Sequence, residues 1–152
     1  MRRHRSRCAR AESGTALVEV TWLAILLMVP LVYVVLAVFD VQRAAFAVSG
    51  ATRAAGRAYS LAPSQPVGIA AARAAAAVAL RDQGLDVDRG SLVLTCRPDP
   101  RHCLTPGSVI EARLAYSVKL PLMPSALGGN TPSIAVSSSH EVPYGRFREA
   151  RS

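Results

Sequence analysis

The feature that most constrains this chain is a run of twenty residues without a charged side chain, from Val20 to Phe39. As a helix rising about 1.5 Å per residue, this run is about 30 Å long, which is the thickness of the hydrocarbon core of a bilayer. The apolar part of a secretory signal peptide is shorter, about 7 to 15 residues, and a cleavage site of small residues follows it. Here the helical pattern continues instead, so the sequence predicts a retained transmembrane helix.

The charges on either side of this run predict its orientation. Residues 1–14 hold five arginines against one acidic residue, Glu12, and Asp40 directly follows the uncharged run. By the positive-inside rule we expect a basic cytoplasmic leader (1–14), a transmembrane helix (15–40) in the lipids of the cytoplasmic membrane, and an extracytoplasmic domain (41–152). The leader holds half of the net charge of +8, and no basic stretch interleaved with aromatics follows it. Nucleic acid is therefore not an expected partner.

Beyond Asp40 the helical pattern continues as a stripe of small side chains. Alanines recur at steps of three and four residues, at Ala44, Ala47, Ala51, Ala54 and Ala58. Such a stripe allows another helix to approach closely. That helix would belong either to a neighbouring subunit, which makes the stripe an assembly surface, or to the chain's own domain. The arginines at positions 43, 53 and 57 lie off the stripe and are expected on a solvated face.

A second helix is predicted after a short connection. Pro63 and Pro66 end the first helix, and the alanine-rich residues 67–83 form the second, closed by Gly84. Ile69, Ala72, Ala76 and Leu80 are predicted to lie on one side of it.

The remaining sequence changes to the period of a β-strand. Strands are predicted over 91–96 and 109–120 and over a third segment from Ile134 to Val142, with a proline- and glycine-rich loop at 121–133. The second strand alternates clearly, with one apolar face made of Ile110, Ala112, Leu114, Tyr116, Val118 and Leu120. The predicted fold class is α+β, in which a small three-stranded antiparallel sheet lies on helices.

Two cysteines bracket a short loop between the first two predicted strands. Cys96 and Cys103 are expected to form a disulfide, because an oxidising compartment favours pairing and the loop is short. A metal site that includes His102 fits poorly, since the spacing does not match that of zinc ligands and no second cysteine pair is present. The other acidic and histidine residues form no acid–base pattern. We therefore expect no catalytic residue, no metal and no cofactor.

Glu19 is the most informative single residue, because a carboxylate at the edge of a membrane-spanning helix costs a few kcal/mol unless something compensates it. Its side chain would either extend to the lipid headgroups or find a partner. The segment from Gly14 to Glu19, Gly-Thr-Ala-Leu-Val-Glu, resembles the processing site of type IV prepilin-like proteins. The resemblance implies cleavage after Gly14 by a prepilin peptidase, which makes Thr15 the new N-terminus. It also implies that Glu19 pairs with the α-amino group of a neighbouring subunit and fixes the axial register.

A longer stretch of sequence narrows the resemblance. The basic leader is followed by Gly-Thr-Ala-Leu-Val-Glu-Val, by an apolar run with an internal proline, by Phe-Asp-Val-Gln-Arg-Ala, and by Ala-Thr-Arg-Ala-Ala-Gly-Arg-Ala-Tyr. This order, over residues 10–60, resembles the TadE-like pseudopilins of tight-adherence (Flp-type) pilus systems. Gly56 and Arg57 match the small-Gly-Arg step that ends the long helix of that family, whereas Val20 stands where phenylalanine is usual.

The resemblance implies a pilin-like fold and a non-catalytic minor pseudopilin that supports assembly of a thin surface fibre or a related secretion machine. Its expected partners are other pilin or pseudopilin subunits, the prepilin peptidase and the inner-membrane pilus assembly platform. The alternative is an unprocessed, single-pass membrane-anchored module that binds an extracytoplasmic ligand through the small sheet.

Overall fold

The structure is a computed structural model that describes residues 9–119 and 133–151, with side chains described from residue 16 onward. The chain divides into two compact units, one up to Val38 and one from Phe39. The elements are α1 (Ala9–Leu61), α2 (Gln65–Asp82), a short 3-10 turn (Val87–Arg89), β1 (Gly90–Arg97), β2 (Val109–Lys119) and β3 (Ser133–Pro143). This is the predicted α+β architecture. Cys8, Leu120 and the predicted loop up to residue 132 lie outside the described residues.

The first unit contains the part of α1 that the sequence predicts to cross a membrane. Among the described residues, one helix is long and apolar enough to cross a membrane, and its apolar stretch has no buried residues. Pro30 lies inside α1 without ending it. Leucine, valine and isoleucine side chains are exposed along this part, which favours a lipid environment because apolar surface in water is unfavourable. The described residues thus contain one candidate membrane span, which agrees with the predicted single-pass anchor.

The predicted proline and glycine residues lie next to the helix ends of the second unit. The first helix ends at Leu61, and Pro66 lies in the first turn of α2, where its missing N–H is not needed. Gly84 follows α2 with φ of +68° and donates its N–H to the carbonyl of Arg81 at 2.8 Å. Leu85 donates to Leu80 at 3.0 Å, which completes a glycine-based helix cap.

The sheet has the order β1-β2-β3, and both pairs of neighbouring strands are antiparallel. The central strand buries its predicted apolar face, Ile110, Ala112, Leu114, Tyr116 and Val118. In β3 the residues facing the same side, from Val136 to Val142, are half-buried, and Ile134 is exposed. One face of the sheet therefore packs on the helices and the other faces solvent.

Close contacts join α1 to β3. A Cβ atom at Gly56 would lie 2.8 Å from Cγ2 of Val142, so only glycine permits this separation of helix and strand. One turn earlier, Thr52 Oγ1 donates to Ser138 Oγ at 3.4 Å. The sheet thus covers one side of α1 through residues without bulky side chains.

Three of the four residues predicted on one side of α2 are buried. The buried side consists of Gly68, Ala72, Ala76 and Leu80. Ile69 is 38% exposed, and Gly68 takes its place on the buried side. The reason is the aromatic ring of Tyr59, because a Cβ atom at Gly68 would lie 3.0 Å from its Cδ2 atom. A glycine at this contact lets the two helices approach, and Ile69 is turned toward solvent.

Candidate functional site

The N-terminal segment of α1 contains the predicted processing residues. The backbone is helical from Ala9, so Gly14 and Thr15 both lie within the helix. A peptide bond must usually leave a helix to enter a protease site, and glycine makes such local unwinding easier than alanine does. Glu19 lies one turn further along and is exposed.

Glu19 has no salt bridge to another described side chain. Near it, Thr21 Oγ1 donates to the carbonyl of Leu17 at 2.8 Å, which satisfies the hydroxyl within the helix. Within a membrane, the carboxylate of Glu19 would therefore need a partner outside the side chains of residues 16–119 and 133–151.

The predicted alanine stripe lies at the boundary of two faces of α1. Ala44, Ala47 and Ala51 are buried in the chain's own domain, whereas Ala54 and Ala58 are half-buried. The covered face is made of Ala44, Ala47, Val48, Ala51, Thr52, Ala55 and Tyr59. For the first three alanines the structure favours packing within the domain, because no neighbouring subunit reaches them without displacing the core. At Ala54 and Ala58 a contact with another subunit stays a prediction.

The opposite side of α1, here called the outer face, is exposed. It comprises residues spaced by three and four, namely Phe39, Arg43, Phe46, Gly50, Arg53, Arg57 and Leu61. Phe46 is 78% exposed. At Gly50 an added Cβ atom would have no neighbour within 4 Å. The outer face therefore combines aromatic side chains, an open position and a row of arginines.

The charges of the outer face are mostly positive. Arg43 forms an ion pair with Asp40 at 3.4 Å, and both side chains are exposed. Arg53 donates from Nη2 to the hydroxyl of Ser49 at 3.2 Å. Neither Arg53 nor Arg57 has a carboxylate within ion-pair distance among residues 16–119 and 133–151. The expectation of a solvated arginine face agrees with this exposure, and the arrangement has spare positive charge.

The predicted disulfide is present. Cys96 and Cys103 are bonded, with their Cα atoms 5.4 Å apart, and both are buried. His102 contacts Asp99 instead of sulfur, with 2.9 Å between Nδ1 and Oδ2. This hydrogen bond from His102, helped by the backbone N–H of Arg101, lowers the pKa of Asp99. In the part of the chain that the structure describes, no three potential ligands gather into a metal site.

The C-terminal tail, residues 144–151, has a role that the sequence analysis did not predict. Arg148 Nη1 donates to the carbonyl of Ser60 at 3.0 Å, and Arg151 Nη1 donates to those of Leu61 and Ala62 at 3.2 and 3.0 Å. The last turn of α1 has no basic residue of its own. The tail thus supplies the positive charge and the hydrogen bonds that the end of a helix favours.

The tail is held in place by the disulfide-bonded connection between β1 and β2. Tyr144 is buried, and its backbone N–H donates to Ser108 at 2.8 Å. Its hydroxyl donates to the carbonyl of Glu149 at 2.8 Å. The N–H of Arg151 donates to the carbonyl of Leu104, next to Cys103, at 2.9 Å. The sequence did contain a sign of this role, namely several arginines after the last strand. Their neighbours in the sequence, however, do not indicate which carbonyl groups they contact.

Comparisons of the chain with protein-family models, with curated proteins and with solved structures found no match.

Proposed function

We propose that the protein is a TadE-like minor pseudopilin, a non-catalytic subunit that supports assembly of a tight-adherence pilus or a related secretion machine. It is stored in the cytoplasmic membrane with its N-terminus in the cytoplasm and its C-terminal domain outside. A prepilin peptidase cleaves it after Gly14. Other pilin or pseudopilin subunits and the assembly platform of the inner membrane are its partners, and no cofactor or nucleic acid takes part.

The observation that carries the proposal is the continuity of α1. One helix runs from Ala9 to Leu61, contains the residues of the processing motif and the apolar span, and continues as the helix on which the sheet packs. A helix used in this way makes the membrane anchor and the domain core parts of one element. That organisation suits a subunit extracted from the membrane into an assembly, because lateral packing of the apolar half replaces lipid.

The charge at Glu19 supports the same proposal. After cleavage, the new amino group of Thr15 would carry a positive charge at the apolar boundary. Pairing it with the carboxylate of Glu19 in a neighbouring subunit would offset the desolvation of both groups, and would favour one axial register over its neighbours.

The test is the N-terminus of the mature protein. Protein recovered from membranes of cells with an active prepilin peptidase should begin at Thr15, and its intact mass should lack the first fourteen residues. Gly14→Val should remain uncut, because a branched side chain disfavours the close approach of backbone at the scissile bond. Ser13→Ala is the matched control and should be cut normally. A wild-type chain that still begins at Met1 would contradict the proposal.

A second candidate function is an unprocessed, membrane-anchored binding module. The cleft between α2 and β1 favours it, since Leu80, Val87, Leu92 and Leu114 line an apolar recess beside Arg73. Its volume of about 230 Å³ is below the range of about 300 to 1,000 Å³ that is usual for small-molecule pockets, so we rank this function second. Under it, the Gly14→Val variant would retain full function.

A further inference from the structure

The second unit contains a cleft, here called the charged cleft, beside the residues with which it begins. The cleft is lined by Asp40 and Arg43 of α1, by Asp86 and Arg89 of the connection between α2 and β1, and by Tyr116 and Lys119 of β2. Its volume is about 210 Å³, and all of these residues belong to the second unit. Charged side chains at a surface are ordinary, and by themselves they do not indicate a ligand.

Tyr116 is the buried member of the charged cleft. It is 3% exposed, and its hydroxyl oxygen accepts a hydrogen bond from the backbone N–H of Asp86 at 3.2 Å. Within residues 16–119 and 133–151, this hydroxyl donates no hydrogen bond of its own. A buried O–H group favours an acceptor for its proton. The cleft beside Tyr116 should therefore hold a hydrogen-bond acceptor.

The arginines of the charged cleft have N–H groups to spare. Arg43 lies 3.4 Å from Asp40, and Nε of Arg89 lies 3.5 Å from the carboxylate of Asp86. Both distances exceed the roughly 2.7 to 2.9 Å of a strong charge-assisted hydrogen bond, and a guanidinium group has several donors. Lys119 has no carboxylate within ion-pair distance among the described residues. The cleft can thus donate several hydrogen bonds to one anion.

The charge balance of the cleft favours a ligand with a single negative charge. Three cationic side chains and two carboxylates line the cleft, which leaves a net charge of +1. A phosphodiester carries one negative charge at neutral pH, and its two free oxygens accept hydrogen bonds from arginine, lysine and hydroxyl groups. Such a group matches both the charge of the cleft and the donors around it.

The position of the cleft along α1 indicates the source of this phosphodiester. Asp40 directly follows the uncharged run that ends at Phe39, and Arg43 lies one turn further along the helix. At about 1.5 Å per residue, both residues lie within about 6 Å of the end of the run. The headgroup layer on each side of a bilayer is about 5 to 8 Å thick. Residues 40–43 are therefore expected at the depth of the lipid phosphates.

We propose that the charged cleft binds the headgroup of an anionic glycerophospholipid such as phosphatidylglycerol. The hydroxyl of Tyr116 donates to a phosphate oxygen, and the cationic side chains of the cleft compensate the negative charge. A headgroup with its own cation, such as choline, would leave the net charge of the cleft uncompensated and binds more weakly. The inference goes beyond the proposed function, because it requires the membrane span and does not require cleavage after Gly14.

The experiment measures the melting temperature of the full chain in nanodiscs, followed by the near-ultraviolet circular dichroism of its tyrosines. Discs of phosphatidylcholine alone are compared with discs that also contain phosphatidylglycerol. A ligand that binds the folded state raises the melting temperature, and we expect a rise of at least about 3 °C. Arg89→Gln/Lys119→Gln should abolish most of this rise. Each variant in phosphatidylcholine discs is its own reference, so a change in its basal stability does not affect the comparison.

Two controls separate the cleft from general attraction between the protein and anionic lipid. Arg73→Gln/Arg81→Gln removes two exposed arginines of α2 outside the cleft and should retain the full rise. Tyr116→Phe removes the buried donor and should reduce the rise about twofold or more. Tyr144→Phe is its matched control, because the hydroxyl of Tyr144 donates to the carbonyl of Glu149 instead, and it should retain the rise.

Three outcomes would overturn the inference. The first is the absence of a rise with phosphatidylglycerol, and the second is an equal loss of the rise in the α2 control. The third is a rise of the same size when inorganic phosphate is added to phosphatidylcholine discs at constant ionic strength, which would assign the cleft to free phosphate. A mature chain that still begins at Met1 would contradict the proposed function and leave these results unaffected, so the two failures are distinguishable.

Discussion

Two glycines of α1 have opposite environments, although both lie in the interior of the same helix. Gly56 is pressed against Val142, whereas Gly50 faces open space. We expect Gly56→Ala to lower the free energy of unfolding by about 1 to 3 kcal/mol, because the added methyl group overlaps Cγ2 of Val142. We expect Gly50→Ala to raise it by up to about 1 kcal/mol, because alanine favours the helix and nothing obstructs it.

Chemical denaturation of the two variants and the wild type measures both effects, and each glycine acts as the control for the other. If both substitutions changed stability in the same direction, the close approach of α1 to β3 at Gly56 would not be the reason for glycine there.

Tyr59 predicts how stability responds to alkaline pH. The side chain is buried between the helices, and burial raises the pKa of its hydroxyl above 10.0, the ordinary value for tyrosine. Since the pKa is higher in the folded state, the associated stability is fully present below about pH 10 and is lost as pH rises through the folded-state pKa. Tyr59→Phe should therefore lose less stability than the wild type above pH 10 in denaturation series at matched ionic strength. Parallel losses in both proteins would contradict this.

At the scale of elements, the C-terminal tail should determine the stability of the end of α1. Arg148→Ala/Arg151→Ala removes the guanidinium groups from the carbonyls of Ser60, Leu61 and Ala62, and we expect a loss of roughly 1 to 3 kcal/mol. Arg146→Ala is the matched control, because that arginine is exposed on the same tail.

Hydrogen exchange shows where this effect lies. In the double variant, the backbone amide protons of the last turns of α1 should exchange faster. Exchange in β2 should change only as much as the change in global stability accounts for. A uniform increase across the domain would indicate that the tail contributes only general stability and does not cap the helix.

The elements differed in how far the sequence predicted them. From Ile110 to Val118, apolar and polar residues alternate, and this pattern predicts a strand with one buried face. In the structure these residues form β2, and its apolar face is buried. On α1, alanine occurs on several sides of the helix, so the spacing of alanines does not define a unique buried face. The face that is buried also includes Thr52 and Tyr59. The tail was not predicted, because its hydrogen bonds to Ser60 join residues far apart in sequence.

The candidate site was predicted unevenly for the same reason. Cys96 and Cys103 are close in sequence, so their pairing follows from the loop between them. The outer face of α1 became recognisable once the sheet identified the opposite side of the helix as core. A helix in isolation does not show which of its faces its own chain will cover.

At the scale of the whole molecule, the second unit should fold without the first. Residues 39–152 contain the buried core, the sheet, the disulfide and both partners of the tail contacts. We expect a fragment of these residues, secreted to an oxidising compartment, to be soluble and to unfold cooperatively, because the unit has its own hydrophobic core. Circular dichroism and thermal denaturation measure this, and a non-cooperative transition would show that α1 before Phe39 is required.

The contacts of β3 and of residues 144–151 also determine when folding of the second unit can finish. Synthesis proceeds from the N-terminus, so α1 is made before Val142, Tyr144, Arg148 and Arg151. Until they arrive, the groove beside Gly56 lacks its strand and the carbonyls at the end of α1 lack their donors. A chain interrupted before Val142 would therefore expose the buried side of α1. The domain completes its core only when β3 and residues 144–151 have been made.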